Sequence, residues 1–231
     1  MPIAVVVVNS FNATTSKPYL TWKGFTFDWY VKLFENQSLL TSFGNTMIIA
    51  LVTTVLSTII GTLGAIGMYK YKFKGKGIID GLLYIPVVIP EIVMGISLLT
   101  VFANVSIPRG MLTLIIAHIT FCVPYVIFNV RARLSGYDIS IEEASMDLGA
   151  NRIRTTPAIP AGALLAFTLS IDDVIISYFV NGNTMTYPLQ VMASIKSGVA
   201  PDVNALSALI LAGTIIFVVL TQGNLFKKKK Q

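Results

Sequence analysis

Long apolar segments alternate with short polar connections along most of the chain. Five of these segments are near the roughly 20 residues that a helix needs to cross a bilayer. They are Thr46 to Met68, Ile78 to Ala103, Leu112 to Val130, Ala161 to Val180 and Ala205 to Leu220. Met1 to Val8 is apolar but shorter, and we interpret it as the tail end of a first spanning helix. The pattern predicts an all-α, polytopic transmembrane bundle with about five full spans plus an incomplete first helix.

The connection from Asn9 to Leu40 differs from the others because it is long and mixes polar with aromatic residues. Aromatic side chains favour the boundary between membrane and water, where an apolar ring and a polar edge are both accommodated. We therefore expect an outer loop that lies at the membrane surface. An amphipathic interfacial helix is expected around Trp29 to Phe34.

Gly61, Gly64 and Gly67 recur every three residues in the first full-length apolar segment. Glycine has no side chain, so this spacing predicts a helix face on which a neighbouring helix can approach closely. The alternative is the ordinary tolerance of membrane helices for glycine, which implies no contact.

The composition agrees with a membrane protein, since 54% of the 231 residues are hydrophobic, only 12% are charged, and the mean hydropathy is +0.74. A typical soluble domain carries about twice that share of charged residues. Cys122 is the only cysteine, which excludes an intrachain disulfide and thiol metal clusters, and we interpret it as a small core residue. The net charge of +6 is concentrated in a few connections, so nothing suggests nucleic-acid binding.

The basic residues fall in alternate connections, and this placement predicts the orientation of the chain in the membrane. They are Lys70, Lys72, Lys74 and Lys76 in one connection, Arg131, Arg133, Arg152 and Arg154 in another, and Lys227 to Lys230 at the end. Positively charged connections are retained in the cytoplasm. These three regions, and the C-terminus with them, are therefore expected on the cytoplasmic side.

A short polar helix is predicted from Asp138 to Ala150, inside one of these cytoplasmic connections. Ser140 and Glu143 have the spacing of a capping box, and Gly149 suits the left-handed residue that closes a helix. A helix this short is not stable alone in water. The pattern therefore predicts that it docks on another surface.

Two adjacent acids occupy positions where a membrane-buried charge is costly. Asp172 and Asp173 lie in the middle of an apolar segment, where insertion of a carboxylate costs roughly 2.5–3.5 kcal/mol. Adjacent helical residues point about 100° apart, so both cannot face one cavity squarely. We expect at least one to line a transport pathway. The alternative is that one aspartate caps a broken helix or bonds to a neighbouring helix.

Glu91 follows Pro86 and Pro90, which lack a backbone donor and should interrupt the apolar segment near this acid. Interrupted helices near the membrane midplane often line transport sites.

His118 stands in an apolar segment with no histidine or acid three or four residues away. We interpret it as a packed, hydrogen-bonded residue with no chemistry of its own.

Several motifs together point to a known family. Glu143 to Gly149 is similar to the E-A-A-x-x-x-G loop of ABC importer permeases, with Ser145 in place of the second alanine. More specific segments are F-T-L-S-I-D-D from Phe167, P-E-I-V-M-G-I-S-L-L from Pro90 and H-I-T-F-C-V-P from His118. In combination these segments resemble the permeases of spermidine/putrescine ABC importers, specifically the second permease subunit. The resemblance implies the type I ABC importer permease fold.

By this resemblance, the helix at 138–150 is a coupling helix that sits in a groove of an ATPase subunit. The implied coupling residues are Glu142, Glu143, Ala144, Ser145, Asp147, Leu148 and Gly149. The implied partners are a homologous second permease subunit, two ATPase subunits and an extracytoplasmic polyamine-binding protein, in the bacterial plasma membrane. The chain has no phosphate-loop, zinc-protease or Ser/His/Asp motif, so we expect a non-catalytic subunit without a cofactor, with ATP bound by the partner.

The resemblance also makes a polyamine the expected cargo. Carboxylates attract its ammonium groups, and aromatic walls suit both the methylenes and the cations. The expected pathway residues are Glu91, Asp172, Asp173, Tyr84 and Tyr178. Residues 1–226 are expected to form a single transmembrane permease domain, and residues 227–231 a basic cytoplasmic tail.

Three alternatives stay open on the sequence. The first keeps the same kind of importer but exchanges the cargo for another cation or small organic solute. The second is a proton-coupled secondary transporter with Glu91 and Asp172 as relay carboxylates, which would work without an ATPase. The third is a purely structural membrane subunit, which would tolerate neutralisation of every buried acid.

Overall fold

The apolar segments form helices. The structure, a computed structural model, describes residues 2–15, 21–135, 158–195 and 198–228. Within these ranges the helices are α1 (Pro2–Asn9), α2 (Asp28–Glu35), α3 (Gln37–Lys70), α4 (Lys76–Val88), α5 (Glu91–Asn104), α6 (Met111–Ser135), α7 (Ala158–Ile171), α8 (Ile175–Val180), α9 (Tyr187–Ile195) and α10 (Pro201–Lys228). The predicted all-α class is confirmed for the described residues, where the one β-type pairing is an isolated bridge between Asn12 and Phe25.

The chain divides into two compact units. The terminal unit comprises Met1–Thr41 and Gln190–Gln231, and the central unit comprises Ser42–Leu189. In the terminal unit, α1 and α2 both pack against α10. The side chain of Leu33 on α2 is buried there.

The loop between α1 and α2 is organised around Asn12. Its side-chain amide donates to the carbonyl oxygen of Thr21 at 3.0 Å, and its side-chain oxygen accepts from the backbone amide of Lys23 at 2.9 Å. The backbone carbonyl of Asn12 accepts from the indole nitrogen of Trp29 at 2.7 Å. The following helix, α2, contains the Trp29 to Phe34 stretch, so the predicted helix is confirmed, and its interfacial position stays a prediction.

In the central unit, α6 forms the core and contacts α4, α5, α7 and α8. Its buried side chains form one apolar cluster: Leu114, Ala117, Phe121, Cys122, Val126, Ile127 and Val130. Cys122 lies in that cluster as the predicted small core residue. At one end of α6, Arg131 forms an ion pair with Asp80 of α4, and both side chains are partly exposed.

The prediction of close helix contact from the glycine spacing is confirmed at two of the three positions. A Cβ atom on Gly61 would lie 2.6 Å from a methyl group of Val126 on α6, so α3 and α6 are in backbone-level contact there. A Cβ atom on Gly64 would lie 3.3 Å from Ile127. Gly67 has no such neighbour within 4 Å among the described residues, so for this part of the chain close packing at Gly67 was wrongly predicted.

Two of the predicted spans are interrupted helices, and an interruption was predicted for one of them. α3 and α6 are long and apolar enough to cross a membrane alone, while α4 and α5 meet at an angle of 110° and qualify only as a pair. The interruption lies at Ile89 and Pro90, as the prolines predicted. The segment from Ala161 to Val180 is also interrupted, because α7 ends at Ile171 and α8 begins at Ile175. α3 begins at Gln37, earlier than the Thr46 boundary that its apolar residues alone indicated.

Candidate functional site at two helix breaks

The two interruptions lead into two short helices that pack against each other, α5 and α8. A Cβ atom on Gly95 would lie 2.6 Å from the ring of Phe179, so only a glycine permits this approach. Each of these residues is the fifth of its helix. The start of α5, with Glu91, is close enough to Asp172 and Asp173 for electrostatic interaction. The two breaks therefore face a common region of the central unit.

The first break is produced by proline. Pro90 has an extended backbone with ψ of 136°, and no side chain caps the helix that follows it. Its carbonyl oxygen instead accepts the backbone amide of Val93 at 2.9 Å, which starts α5. Glu91 is the first residue of α5 and is partly exposed. A carboxylate at this position is stabilised by the positive end of the helix dipole.

The second break is capped by Asp173. Its carboxylate accepts the backbone amides of Ile176 at 3.3 Å and of Ser177 at 2.8 Å. These are among the donors that the first turn of a helix leaves without a partner, so the aspartate starts α8. The Asp173 side chain is almost fully buried. The alternative that one aspartate caps a broken helix therefore describes Asp173.

His118 of α6 connects the two sides of this second break. Its Nδ1 atom is 2.7 Å from the hydroxyl of Ser170 on α7, and its Nε2 atom is 2.9 Å from the hydroxyl of Ser177 on α8. The same Nε2 lies 3.4 Å from a carboxylate oxygen of Asp173. Serine hydroxyls both donate and accept, so either neutral tautomer of the imidazole can be satisfied. We call these four residues, His118, Ser170, Asp173 and Ser177, the histidine cluster.

The interpretation of His118 as a packed, hydrogen-bonded residue is confirmed. What sequence reasoning missed is its acidic neighbour, because the search was limited to residues one helical turn away. Its partners Ser170 and Ser177 lie 52 and 59 positions further along the chain, on other helices. No local spacing signal reports such a contact.

Asp172 differs sharply from Asp173 although the two are adjacent. Asp172 is exposed, whereas Asp173 is buried in the histidine cluster. On the sequence the two aspartates were equivalent candidates, and the structure distinguishes them by their exposure. Asp172 and Glu91 are the carboxylates of this region with exposed surface, and Asp173 holds the backbone at the start of α8.

The two candidate tyrosines lie on the helices beside the breaks. The ring of Tyr84 on α4 packs on Phe128 of α6 with centroids 4.6 Å apart, and half of the residue is exposed. Tyr178 on α8 is also more than half exposed and makes an edge contact with Phe179. Both present aromatic surface outside the packed core, which is the property that their predicted role requires.

The predicted coupling residues, from Glu142 to Gly149, lie outside the described residues. Their role stays a prediction from the sequence.

Comparison with curated proteins finds close relatives over nearly the whole chain. The permease protein PotC of the spermidine/putrescine transport system from Haemophilus influenzae is 40% identical over 232 aligned positions, which cover 96% of this chain and 90% of the relative. PotC of Escherichia coli K12 is 39% identical, covering 96% of this chain and 87% of the relative. The putrescine transport system permease protein PotI of Escherichia coli K12 is 37% identical, covering 91% and 80%.

Comparison with solved structures finds the same architecture. A crystal structure of a bacterial ABC transporter involved in the import of the acidic polysaccharide alginate contains a chain that matches with a TM-score of 0.68 at 17% identity. The match covers 96% of this chain and 89% of that chain. No protein-family model matches the sequence. The fold is that of an ABC importer permease, and the protein is a multi-pass membrane protein.

Proposed function

The chain belongs to the family of spermidine/putrescine transport system permeases, and from this premise we propose that it carries polyamines as the second permease subunit of an ATP-driven importer. The observation that carries the proposal is the 40% identity to a permease of that system over 96% of the chain. A subunit of this family is a transport protein rather than an enzyme, and it works with the other subunits of its transporter.

The acids at the two breaks support a cationic cargo. Glu91 and Asp172 are accessible carboxylates near a third, buried one, in a part of the chain that is otherwise apolar. An ammonium group about 4 Å from a carboxylate gains roughly 4 kcal/mol at an effective dielectric constant of about 20. The fold alone does not determine the sign of the cargo's charge, since the structural neighbour belongs to an importer of an acidic polysaccharide.

Within this proposal the five candidate residues have different tasks. Glu91 and Asp172 bind ammonium groups of the cargo, and Asp173 positions Asp172 by holding the start of α8. Tyr84 and Tyr178 supply exposed aromatic surface along the pathway. Aromatic faces attract cations by roughly 0.5–2 kcal/mol and also contact methylene groups.

The energy comes from partner subunits in this proposal. Two ATPase subunits bind ATP and receive the coupling segment, with Glu142, Glu143, Ala144, Ser145, Asp147, Leu148 and Gly149 at the contact. A homologous second permease subunit completes the pathway, and an extracytoplasmic binding protein delivers the polyamine. In this proposal the coupling segment and the C-terminus lie in the cytoplasm of a bacterial cell, which the positive charge of the alternate connections supports.

The first test is ATP hydrolysis by the transporter reconstituted with its second permease and ATPase subunits. We expect spermidine-loaded binding protein to raise the hydrolysis rate, while a binding protein loaded with another solute does not. Equal rates with and without the loaded protein would contradict a polyamine importer. Polyamine uptake by this chain alone in proteoliposomes would instead support the proton-coupled alternative.

The second test neutralises single acids. Glu91→Gln and Asp172→Asn are each expected to raise the KM for polyamine uptake by about tenfold or more, because a loss of about 1.4 kcal/mol lowers affinity tenfold. Asp28→Asn is the matched control, since Asp28 is an exposed acid on α2 in the other unit. If both break variants transport as well as this control, the pathway assignment is wrong. If stimulation by spermidine persists in that case, the importer assignment survives.

A further inference from the structure

Helix α2 exposes an unusual amount of apolar surface for a helix outside the spanning segments. Phe27 at its start is 62% exposed, Val31 is 63% exposed, and Phe34 is 67% exposed. These residues are spaced by four and three positions, so they form one stripe along the helix. We call this stripe the α2 apolar sector.

Two other sectors complete the circumference of α2. Asp28, Lys32 and Glu35 share the same spacing and are all exposed. Each of these residues follows one of the apolar sector by one position, so the polar sector is centred about 100° from the apolar one. Leu33 is buried, and it lies on the remaining side, which faces α10. The helix thus has one side for protein, one for water and one that is apolar and uncovered.

The apolar sector continues into a cluster of aromatic rings. The ring of Phe27 packs edge-on against Phe25 and Phe11 with centroids 5.0 and 5.5 Å apart. Phe11 and Phe25 are stacked at 5.1 Å, and Phe25 is also largely exposed. Tyr30 adds a fourth ring and directs its hydroxyl to Ser10, 2.8 Å away. The uncovered apolar surface therefore extends from α2 to the chain that follows α1.

The depth of α2 is set by its connection to α10. Asn36, directly after α2, donates from its side chain to Asp202 at 2.8 Å, in the first turn of α10. Leu209 is exposed seven residues after Asp202 on this apolar helix, a rise of about 10 Å. The headgroup region on each side of a bilayer is about 5–8 Å thick. With Leu209 in the hydrocarbon, the end of α2 lies at most about 10 Å above the hydrocarbon, near the outer edge of the headgroup region.

We propose that α2 lies in the plane of the membrane surface, with Phe27, Val31 and Phe34 at the boundary between headgroups and acyl chains. The polar sector then faces water, and Lys32 remains over the ring of Trp29, 4.6 Å from its centroid. Interfacial helices with this division of surface bury the apolar face by about 5–10 Å. In the proposed topology this is the extracytoplasmic leaflet. The anchor fixes the start of α3, which begins two residues after α2 ends.

Spin labels on adjacent residues of α2 test this proposal. Val31→Cys and Phe34→Cys place labels in the apolar sector, and Lys32→Cys and Glu35→Cys are matched controls in the polar sector. Cys122 is the one native cysteine and is fully buried, so it does not compete for the label. In the assembled transporter in lipid nanodiscs, we expect the first pair to collide more with oxygen than with a water-soluble nickel chelate. The control pair should show the reverse order.

Two outcomes overturn the proposal. In the first, the nickel chelate reaches the labels at 31 and 34 as readily as those at 32 and 35. The α2 apolar sector then faces water and is available to a soluble partner. Low access of both reagents to 31 and 34 means that another protein covers the sector. Assembly of each variant is checked by its yield of intact transporter, so a folding defect is not counted as either outcome.

Quenching of tryptophan fluorescence provides a second test, which needs no substitution in the α2 apolar sector. Trp22 and Trp29 are the two tryptophans of the chain, and both belong to this region. Trp22 is about half exposed. In Trp29→Phe transporter, we expect Trp22 emission to be quenched more by lipids brominated near the headgroup than by aqueous iodide. Stronger quenching by iodide would contradict a membrane-surface position of this loop.

Discussion

The central unit contains two helix breaks that are built in different ways. Between α4 and α5, the chain turns by 110° at Pro90, and no side chain from elsewhere is needed to start the next helix. Between α7 and α8 there is no proline, and the break is held by the Asp173 carboxylate and by His118 from α6. The first break is produced by a residue of its own segment, whereas the second also depends on a tertiary contact with α6.

The difference determines which substitutions should disrupt each break. A proline break follows from one residue that lacks a backbone donor, so distant substitutions leave it in place. A break held by side chains depends on every partner, because a buried carboxylate that loses its partners is strongly destabilising. His118 contacts Ser170, Ser177 and Asp173, and the stability of the second break is therefore concentrated in that one residue.

The largest expected effect is that of His118→Leu. The substitution removes the imidazole that faces the buried Asp173 carboxylate and that bonds to the Ser170 and Ser177 hydroxyls, at a cost of about 3–5 kcal/mol. Thr120→Val on the same helix is the matched control, since the Thr120 hydroxyl is exposed and bonds only to the carbonyl of Ile116. The free energy of unfolding in mixed micelles measures both variants. Equal stability of the two would show that the second break does not depend on the histidine cluster.

Gly95→Ala should have the next largest effect, since it forces α5 and α8 apart where the two breaks meet. The new methyl group would meet the Phe179 ring at 2.6 Å, and overpacking of this kind costs about 1–3 kcal/mol. Gly81→Ala on α4 is the control, because a Cβ atom there has no neighbour within 4 Å. It should be neutral or stabilising by up to about 1 kcal/mol. Thermal unfolding of the two variants gives the comparison, and a stable Gly95→Ala protein would contradict the packing of α5 on α8.

Ser177→Ala removes one contact from the histidine cluster and leaves the others. Interhelical hydrogen bonds in membrane proteins contribute about 0.6 kcal/mol on average and up to about 1.7 kcal/mol. We expect a loss in that range, because the backbone amide of Ser177 still bonds to Asp173. Combining it with His118→Leu in a double-mutant cycle should give a total smaller than the sum. Strict additivity would mean that the two side chains do not share an interaction.

The smallest change in stability is expected for Pro90→Ala, which acts on the local break. Restoring a backbone donor should alter the unfolding free energy by only about 1 kcal/mol or less, mainly through the unfolded chain. The angle between α4 and α5 should nevertheless relax, because the alanine supplies the backbone donor that Pro90 lacks. Spin-label distances between the two helices measure the angle. An unchanged distance would show that this break, like the second, is held by tertiary contacts.

Sequence reasoning located both acidic regions of the site but did not distinguish their members. Pro86 and Pro90 indicated an interruption beside Glu91, and the structure has it at that residue. The cost of burying a carboxylate identified the pair Asp172 and Asp173 as candidates. It did not indicate which of the two side chains is exposed. That decision depends on His118, which approaches only one of the two.

The sequence by itself determined the helical membrane fold, the proline break, the helix near Trp29 and the close approach at Gly61 and Gly64. Each of these follows from hydropathy over one helix length or from the backbone chemistry of a residue in its own segment. Only the tertiary structure decided that Gly67 has no close neighbour within the part of the chain that the structure describes, that Asp173 caps α8 while Asp172 is exposed, and that His118 joins α7 to α8. The surroundings of Gly67 and the bonds of His118 depend on which helices are adjacent, and the bonds of His118 join residues more than 50 positions apart whose spacing carries no periodic signal.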